Sequence, residues 1–297
     1  MREKVEKKEE KKRWTEYLSF RIMFLIRRGE SMETRKSDSY EAFAYVYDNF
    51  MDNIPYEEWA NYLIGLLKEY GVSDGIVVDL GCGTGSMTKL LAKAGYDMIG
   101  IDNSIDMLEI AREKMMDSEE QILYLLQDMR EFELYGTVHA IVSVCDSMNY
   151  ITEKEDLVQV FRLANNYLEP RGYFIFDMNT EYKYKMQLGD RTIAEDREDM
   201  SFIWENFYDE EQKLNEYSLS IFVQEKEDLY RKYEEVHYQR AYSLEEVKEA
   251  IKEAGMEFVA AYDAFTHKEP SSTSERMYII ARETFQENKQ YQVSEEQ

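Results

Sequence analysis

Val77-Val78-Asp79-Leu80-Gly81-Cys82-Gly83-Thr84-Gly85, followed by a helix-like stretch from Ser86 to Ala94, decides how this chain folds. A β-branched run ends in an acid and passes into three glycines at alternate positions. Glycine has no Cβ to hold a ligand off and reaches positive φ cheaply, so such a strand–turn–helix brings bare backbone to a bound molecule. The spacing is G-x-G-x-G. The dinucleotide turn of dehydrogenases is G-x-G-x-x-G, and Ser86 stands where its third glycine would be. A tight βα turn that binds nothing also fits these nine residues, so their surroundings must decide.

Outward from the turn the pattern alternates. Apolar strands are expected at Ile76–Leu80, 97–101, Ile122–Leu126, 138–144 and 173–178. Between them lie helical patterns over 87–94, 105–115 (with Ser104 as N-cap) and 154–168, and the turn Pro170-Arg171-Gly172. Alternating βα units with near-continuous apolar strands imply an α/β fold whose parallel sheet is covered on both faces. Upstream, 40–53 and 56–70 read as amphipathic helices separated by Ile54-Pro55. Beyond Asn179 the texture changes. Residues 192–240 are rich in Tyr, Phe, Trp and Glu with period-2 alternation, as in 217–223 and 230–238, which predicts an antiparallel insert over about 180–240. Ser243 and Glu246 form a capping box for a helix to Ala254, and two strands, 258–265 and 277–281, close the chain.

The acids at the strand ends carry the chemistry. Asp102 ends the second strand, where a carboxylate can accept hydrogen bonds from two ribose hydroxyls. Asn103 follows it, and Met107 is placed either to cover an adenine face or to fill the core. The third strand runs into Gln127-Asp128-Met129, and the fourth into Ser143-Val144-Cys145-Asp146-Ser147-Met148-Asn149. With Asp79-Leu-Gly-Cys-Gly-Thr-Gly85, these segments resemble the class I S-adenosylmethionine-dependent methyltransferases. The resemblance spans about 40–282. Tyr40-Glu-Ala-Phe-Ala-Tyr-Val-Tyr47-Asp48 and Ile54-Pro-Tyr-Glu-Glu-Trp59 look like a bacterial small-molecule group of unassigned substrate.

The resemblance implies a Rossmann-like, mostly parallel seven-stranded sheet with helices on both faces and an antiparallel insert after the fifth strand. It implies S-adenosylmethionine as cofactor. Its site would comprise Asp79, Gly81, Cys82, Gly83 and Gly85 on the methionine side, and Asp102, Asn103 and Met107 at the nucleoside. Asp128 would take the adenine amino group and the Met129 amide a ring nitrogen, while Cys145 and Asp146 would line the transfer path. Tyr40 or Tyr47 would reach over from an N-terminal helix, unless they are helix-packing aromatics. One departure is that His139 stands where the fourth strand usually opens with Asp; at the edge away from the ligand, it reads as structural. His237 lies on a strand of the insert, which is expected to form a lid over the pocket, with Glu235 and Gln239 on one face and Val236 and Tyr238 on the other. It is the candidate proton acceptor, although a hydrogen-bonded surface histidine is the plainer reading.

Composition bounds the rest. The 297 residues carry a net charge of −25. Residues 1–36 hold 12 Lys/Arg against 7 Asp/Glu, so the other 261 carry −30. So negative a body repels phosphate backbones and disfavours a nucleic-acid partner. The basic leader 1–36 and the polar tail 283–297 read as disordered, and Met32 opens a chain that would look complete without residues 1–31. No run approaches the roughly 20 apolar residues of a membrane span, and no secretory cleavage pattern is visible. Only Cys82 and Cys145 occur, which suggests a reducing cytoplasm rather than a disulfide framework. No metal-ligand spacing appears. The expected function is methyl transfer to a small-molecule acceptor by a monomer or homodimer. Methylation of tRNA, rRNA or protein, a non-catalytic S-adenosylmethionine sensor or scaffold, and a dehydrogenase are the alternatives.

Overall fold

A computed structural model describes residues 47, 55–116, 118–226 and 228–284. The basic leader, Tyr40 and most of the first expected helix lie outside the described residues; Tyr47 within it is helical.

Helix α1 (Tyr56–Glu69) leads into β1 (Ile76–Leu80), α2 (Ser86–Lys93), β2 (Asp97–Asp102), α3 (Ile105–Met116), β3 (Ile122–Leu126) and β4 (Val138–Ser143). A 3-10 turn (Ser147–Tyr150), α4 (Lys154–Tyr167) and β5 (Leu168–Asn179) follow. The order of the first sheet, with β10 (Glu257–Asp263) and β11 (Arg276–Arg282), is β10-β11-β5-β4-β1-β2-β3. The pairs among β1–β5 are parallel, whereas β11 runs antiparallel to both β5 and β10. This is the seven-stranded, mostly parallel sheet that the alternating pattern and the resemblance imply. Chain order reverses between β1 and β4, and at such a switch point the loops part to leave a crevice at the carboxyl edge.

Strand alternation builds two cores. Val78 and Leu80 face Phe161, Val247 and Ile251 on one side, and Val77 faces Leu63, Leu67 and Leu91 on the other. Burial on both faces is why β1 reads as an unbroken apolar run. Helix α5 (Leu244–Glu253) has the expected capping box, with Ser243 Oγ accepting from Glu246 N and the Glu246 side chain accepting from Ser243 N.

Two local expectations change. Pro170–Gly172 does not precede the fifth strand but lies inside it as an irregularity, with Arg171 at φ +68 and a register shift against β4. Glu283 and Thr284, read with the tail, are held: Glu283 N donates to Gly172 O at 2.9 Å, and Thr284 N to Asn165 Oδ1 at 3.2 Å. The insert forms a second, antiparallel sheet of β6 (Thr192–Asp196), β7 (Met200–Asp209), β8 (Leu214–Lys226) and β9 (Leu229–Arg240). A six-residue π-helix, Lys183–Leu188, precedes it. No described helix is long and apolar enough to cross a membrane.

Candidate active site

The glycine turn is fastened to its neighbour strand. Gly81 N and Cys82 N both donate to Ile101 O, at 2.8 and 3.0 Å. The three glycines take φ of +75, +53 and +73, the left-handed region that other residues enter at a cost. Their roles differ. A Cβ on Gly81 would lie 2.7 Å from Ser147 Cβ, so its bareness serves packing; one on Gly83 would meet nothing within 4 Å and would point into open space. Gly83 N donates to Asp102 Oδ2 at 2.8 Å and Ser104 N to Oδ1 at 2.9 Å, which fixes the carboxylate at the tip of β2. Burial raises the Asp102 pKa against those backbone donors.

Asp79 is 1% exposed, and Thr88 Oγ1 donates to its Oδ2 at 2.6 Å. Burial pushes its pKa up to about 7, the Thr88 hydroxyl opposing and the nearby Asp102 adding to the rise. Met107, with Ser104 Oγ accepting from its amide, is buried and also lines the cavity. Asp128 brings a surprise. Arg130 grips it through Nε and a terminal nitrogen, at 3.0 and 2.6 Å, and holds its carboxyl below the usual range. The sequence reading gave Arg130 no part.

The tip of β4 is strained. Cys145 and Asp146 adopt φ of +61 and +56 in succession. Two such residues need outside support, and Asp177 on β5 supplies it: its Oδ1 accepts from Asp146 N at 2.7 Å and its Oδ2 from Cys145 N at 3.2 Å. Arg276, at the start of β11, joins both acids, donating to Asp177 Oδ2 at 2.7 Å and to Asp146 Oδ1 at 2.6 Å, while its guanidinium lies 5.0 Å from the Trp59 ring. Gln239 of the insert donates to the other Asp146 oxygen at 2.8 Å and accepts from Tyr184 OH at 3.0 Å. Burial pushes both cysteine thiols well up, against thiolate chemistry.

His237 is not a surface residue. It is 9% exposed, with Nε2 2.8 Å from Glu235 Oε2, its ring stacked on Tyr217 at 4.9 Å and edge-on to Tyr150 at 5.9 Å. Alternation predicted its face correctly; what buries that face is the sheet's position over the core, which no local pattern shows. His139 is structural as read, its Nδ1 accepting from Ile76 N at 3.1 Å. His267 bonds Glu69 on the surface. Among the described residues no group of three or more His, Cys, Asp or Glu is arranged to hold a metal ion.

One cavity of about 1090 Å³ joins these parts. Every expected cofactor residue except Gly85, which caps α2, and Tyr40, which lies outside the described residues, lines it. So do His237 and several groups not foreseen: Trp59, Tyr150, Lys183, Trp204, Tyr217 and Arg276. Asp177 had a legible signal, an acid inside the apolar run Tyr173–Met178, which demands a buried partner. Arg276 had none stronger than its place before an apolar strand.

A glycine turn fastened to a strand-end carboxylate, at the switch point of a sheet whose last strand turns antiparallel, defines a methyltransferase architecture. Residues 77–172 match the family model described as "Methyltransferase domain", and the chain belongs to the class I S-adenosylmethionine-dependent methyltransferases. It is 36% identical over 246 residues to the protein of Bacillus subtilis (strain 168) named "Putative methyltransferase YqeM", spanning 82% of this chain and 97% of that one. Among solved structures it is similar to an S-adenosylmethionine-dependent methyltransferase from Clostridium acetobutylicum ATCC 824, with TM-score 0.74, 28% identity and coverage of 82% and 98% of the two chains. It shares its fold with the sugar N-methyltransferase KedS8 from Streptoalloteichus sp ATCC 53650, with TM-score 0.67, 17% identity and coverage of 80% and 92%.

Proposed function

We propose that the protein binds S-adenosylmethionine in this cavity and transfers its methyl group to a small-molecule acceptor. The observation that carries the reading is the Asp102 carboxylate, locked by Gly83 N and Ser104 N beside a glycine whose missing Cβ leaves the approach open. Those residues suit the cofactor's chemistry: Asp102 offers lone pairs to ribose hydroxyls, Met107 and Met129 offer apolar surface to adenine, and Asp128 stands at the rim with Arg130. Asp79, Gly81, Cys82 and Gly83 would wall the methionine end, with Tyr47 also lining the cavity. The bound cofactor supplies a methyl group already activated by its sulfonium.

The chain then has to hold the acceptor's nucleophile in line with that methyl and keep water out. Orientation of this kind can supply roughly 7–11 kcal/mol of a barrier. The Cys145–Asp146 tip, held by Asp177 and Arg276, would set the transfer point, and the insert would roof it. His237, steadied by Glu235, is the candidate to take a proton from an amine or hydroxyl acceptor. The cavity exceeds the roughly 300–1,000 Å³ of ordinary small-molecule sites, which leaves room for an acceptor beside the cofactor. The fold shared with a sugar N-methyltransferase and the net charge of −25 support a small acceptor over a nucleic acid. The two cysteines form no disulfide, which accords with a cytoplasmic setting.

Calorimetry with S-adenosylhomocysteine tests the cofactor reading. Binding is expected, with Asp102→Asn weakening it about tenfold or more, the effect of removing a charged hydrogen-bond acceptor. Binding of a nicotinamide dinucleotide instead would overturn it.

A further inference from the structure

Among the described residues three lysine or arginine side chains line the cavity: Arg130, Lys183 and Arg276. Two of them are engaged by carboxylates, Arg130 by Asp128 and Asp156, and Arg276 by Asp146 and Asp177. Lys183 is not. Its Nζ donates to the neutral Oδ1 of Asn179 at 2.9 Å and enters no ion pair among the described residues. An ammonium carries three N–H donors, so two of them meet no acceptor among those residues. In a chain of 61 acidic and 36 basic residues, a cavity cation without a carboxylate partner is the exception. The surrounding acids do not make up for it. Burial, with Arg276 nearby, lowers the Lys183 pKa, and Asp146, Asp177 and Glu275 oppose this only in part. Taking an ammonium out of water is costly unless an anion answers it.

The fold puts this ammonium on the acceptor's side of the cavity. Asp79, Asp102 and Asp128, the acids suited to the cofactor, stand at or just beyond the ends of β1, β2 and β3. Lys183 follows β5, which lies past β4 on the other side of the switch point. Its partner Asn179 is tied to Asn149 near the β4 tip: Asn179 N donates to Asn149 Oδ1 at 2.9 Å, and Asn149 Nδ2 to Asn179 O at 3.1 Å. The next residue, Tyr184, donates to Gln239, which donates to Asp146. Lys183 is therefore anchored to the frame that holds the Cys145–Asp146 tip. One ammonium with Asp146 and Glu275 near it matches a single negative charge better than the nearly double charge of a phosphate. Trp59, Trp204 and Tyr217 give the same cavity an apolar lining. We propose that Lys183 binds a carboxylate of the methyl acceptor, which makes the acceptor a small organic acid with its nucleophile elsewhere on the molecule. This rests on the methyl-transfer reading above and adds the substrate class. The other carboxylate that could reach Lys183 is the cofactor's own, and the experiment separates the two.

Calorimetry on the full-length protein saturated with S-adenosylhomocysteine reads the binding of benzoate, phenylacetate and succinate, each against its uncharged amide. The expected result is that at least one acid binds about tenfold or more tightly than its amide, the share of a charged hydrogen bond. Lys183→Gln should erase that preference and Lys183→Arg should keep it. No preference for any acid, or one that survives in Lys183→Gln, overturns the subsite. Melting temperatures show whether the variants fold, and the comparison of acid with amide on the unaltered protein needs no variant. The source of the carboxylate is read from S-adenosylhomocysteine and from 5′-methylthioadenosine, which lacks the carboxylate. Lys183→Gln should leave the affinity for both unchanged. A loss of about tenfold for S-adenosylhomocysteine alone would put the cofactor's carboxylate on Lys183 and overturn the acceptor assignment. No affinity of the unaltered protein for S-adenosylhomocysteine defeats the cofactor reading, whereas its binding without a preference for acids defeats the subsite alone.

Discussion

Asp79 and the turn glycines show how single residues divide the work. With its pKa raised from 3.8 to about 7 by burial, Asp79 contributes to stability while protonated, and the ligand-free fold loses that contribution as pH rises through about 7. Asp79→Asn should therefore raise the melting temperature relative to wild type more at pH 8 than at pH 5, measured by thermal unfolding. A cation brought beside Asp79 favours its carboxylate, so binding of S-adenosylmethionine at pH 7 should release up to about half a proton. Calorimetry in two buffers of different ionisation enthalpy would register this, and Asp79→Asn would abolish it. Gly81→Ala and Gly83→Ala separate packing from binding. The first meets Ser147 and should lower the melting temperature steeply; the second meets nothing within 4 Å, so it should carry only the roughly 1–2 kcal/mol cost of its left-handed backbone and keep the fold while losing affinity for S-adenosylhomocysteine. These residues were legible because glycine spacing and a strand-end acid are local chemistry. Arg276 was not, since its partners Asp177 and Asp146 lie 99 and 130 positions away.

At the scale of elements, one carboxylate at the β4 tip joins both sheets. Asp146 receives Arg276 from the first sheet on one oxygen and Gln239 from the second on the other. Asp177→Asn breaks a buried ion pair and replaces with an amide nitrogen one of the two oxygens that accept from the left-handed residues, so it should cost roughly 3–5 kcal/mol, read by chemical denaturation. Gln239→Ala leaves that support intact and cuts the Asp146 tie to the insert, while Asn149 still donates to Arg240 O and Tyr150 still bonds Tyr217. Hydrogen exchange should then quicken in β8 and β9 while β1, β4 and β5 keep their protection. The strands of the insert were visible in their period-2 aromatic alternation, and the face shared by Glu235, His237 and Gln239 follows from that alone. The burial of that face, the π-helix at Lys183–Leu188 and the inclusion of Pro170–Gly172 within β5 depend on what packs against them, which periodicity does not encode.

For the molecule as a whole, the order β10-β11-β5-β4-β1-β2-β3 gathers four strand tips at one crevice and sets an aromatic second sheet over it. The alternation of βα units was sufficient to anticipate the first sheet. The insert was expected to roof the pocket, but the residues through which the two sheets meet, such as Arg276 and Asp177, were not, because they come from segments far apart in sequence. The overall charge of −25 argues for a compact acceptor that enters this cavity rather than a polyanion laid across it. The central claim is tested most directly by incubating the protein with methyl-labelled S-adenosylmethionine and a bacterial cell extract, then separating the label by molecular size. Label in the small-molecule fraction, lost in Asp102→Asn, is the predicted result. Label on RNA or protein, or no transfer by a protein that binds S-adenosylhomocysteine, would contradict it.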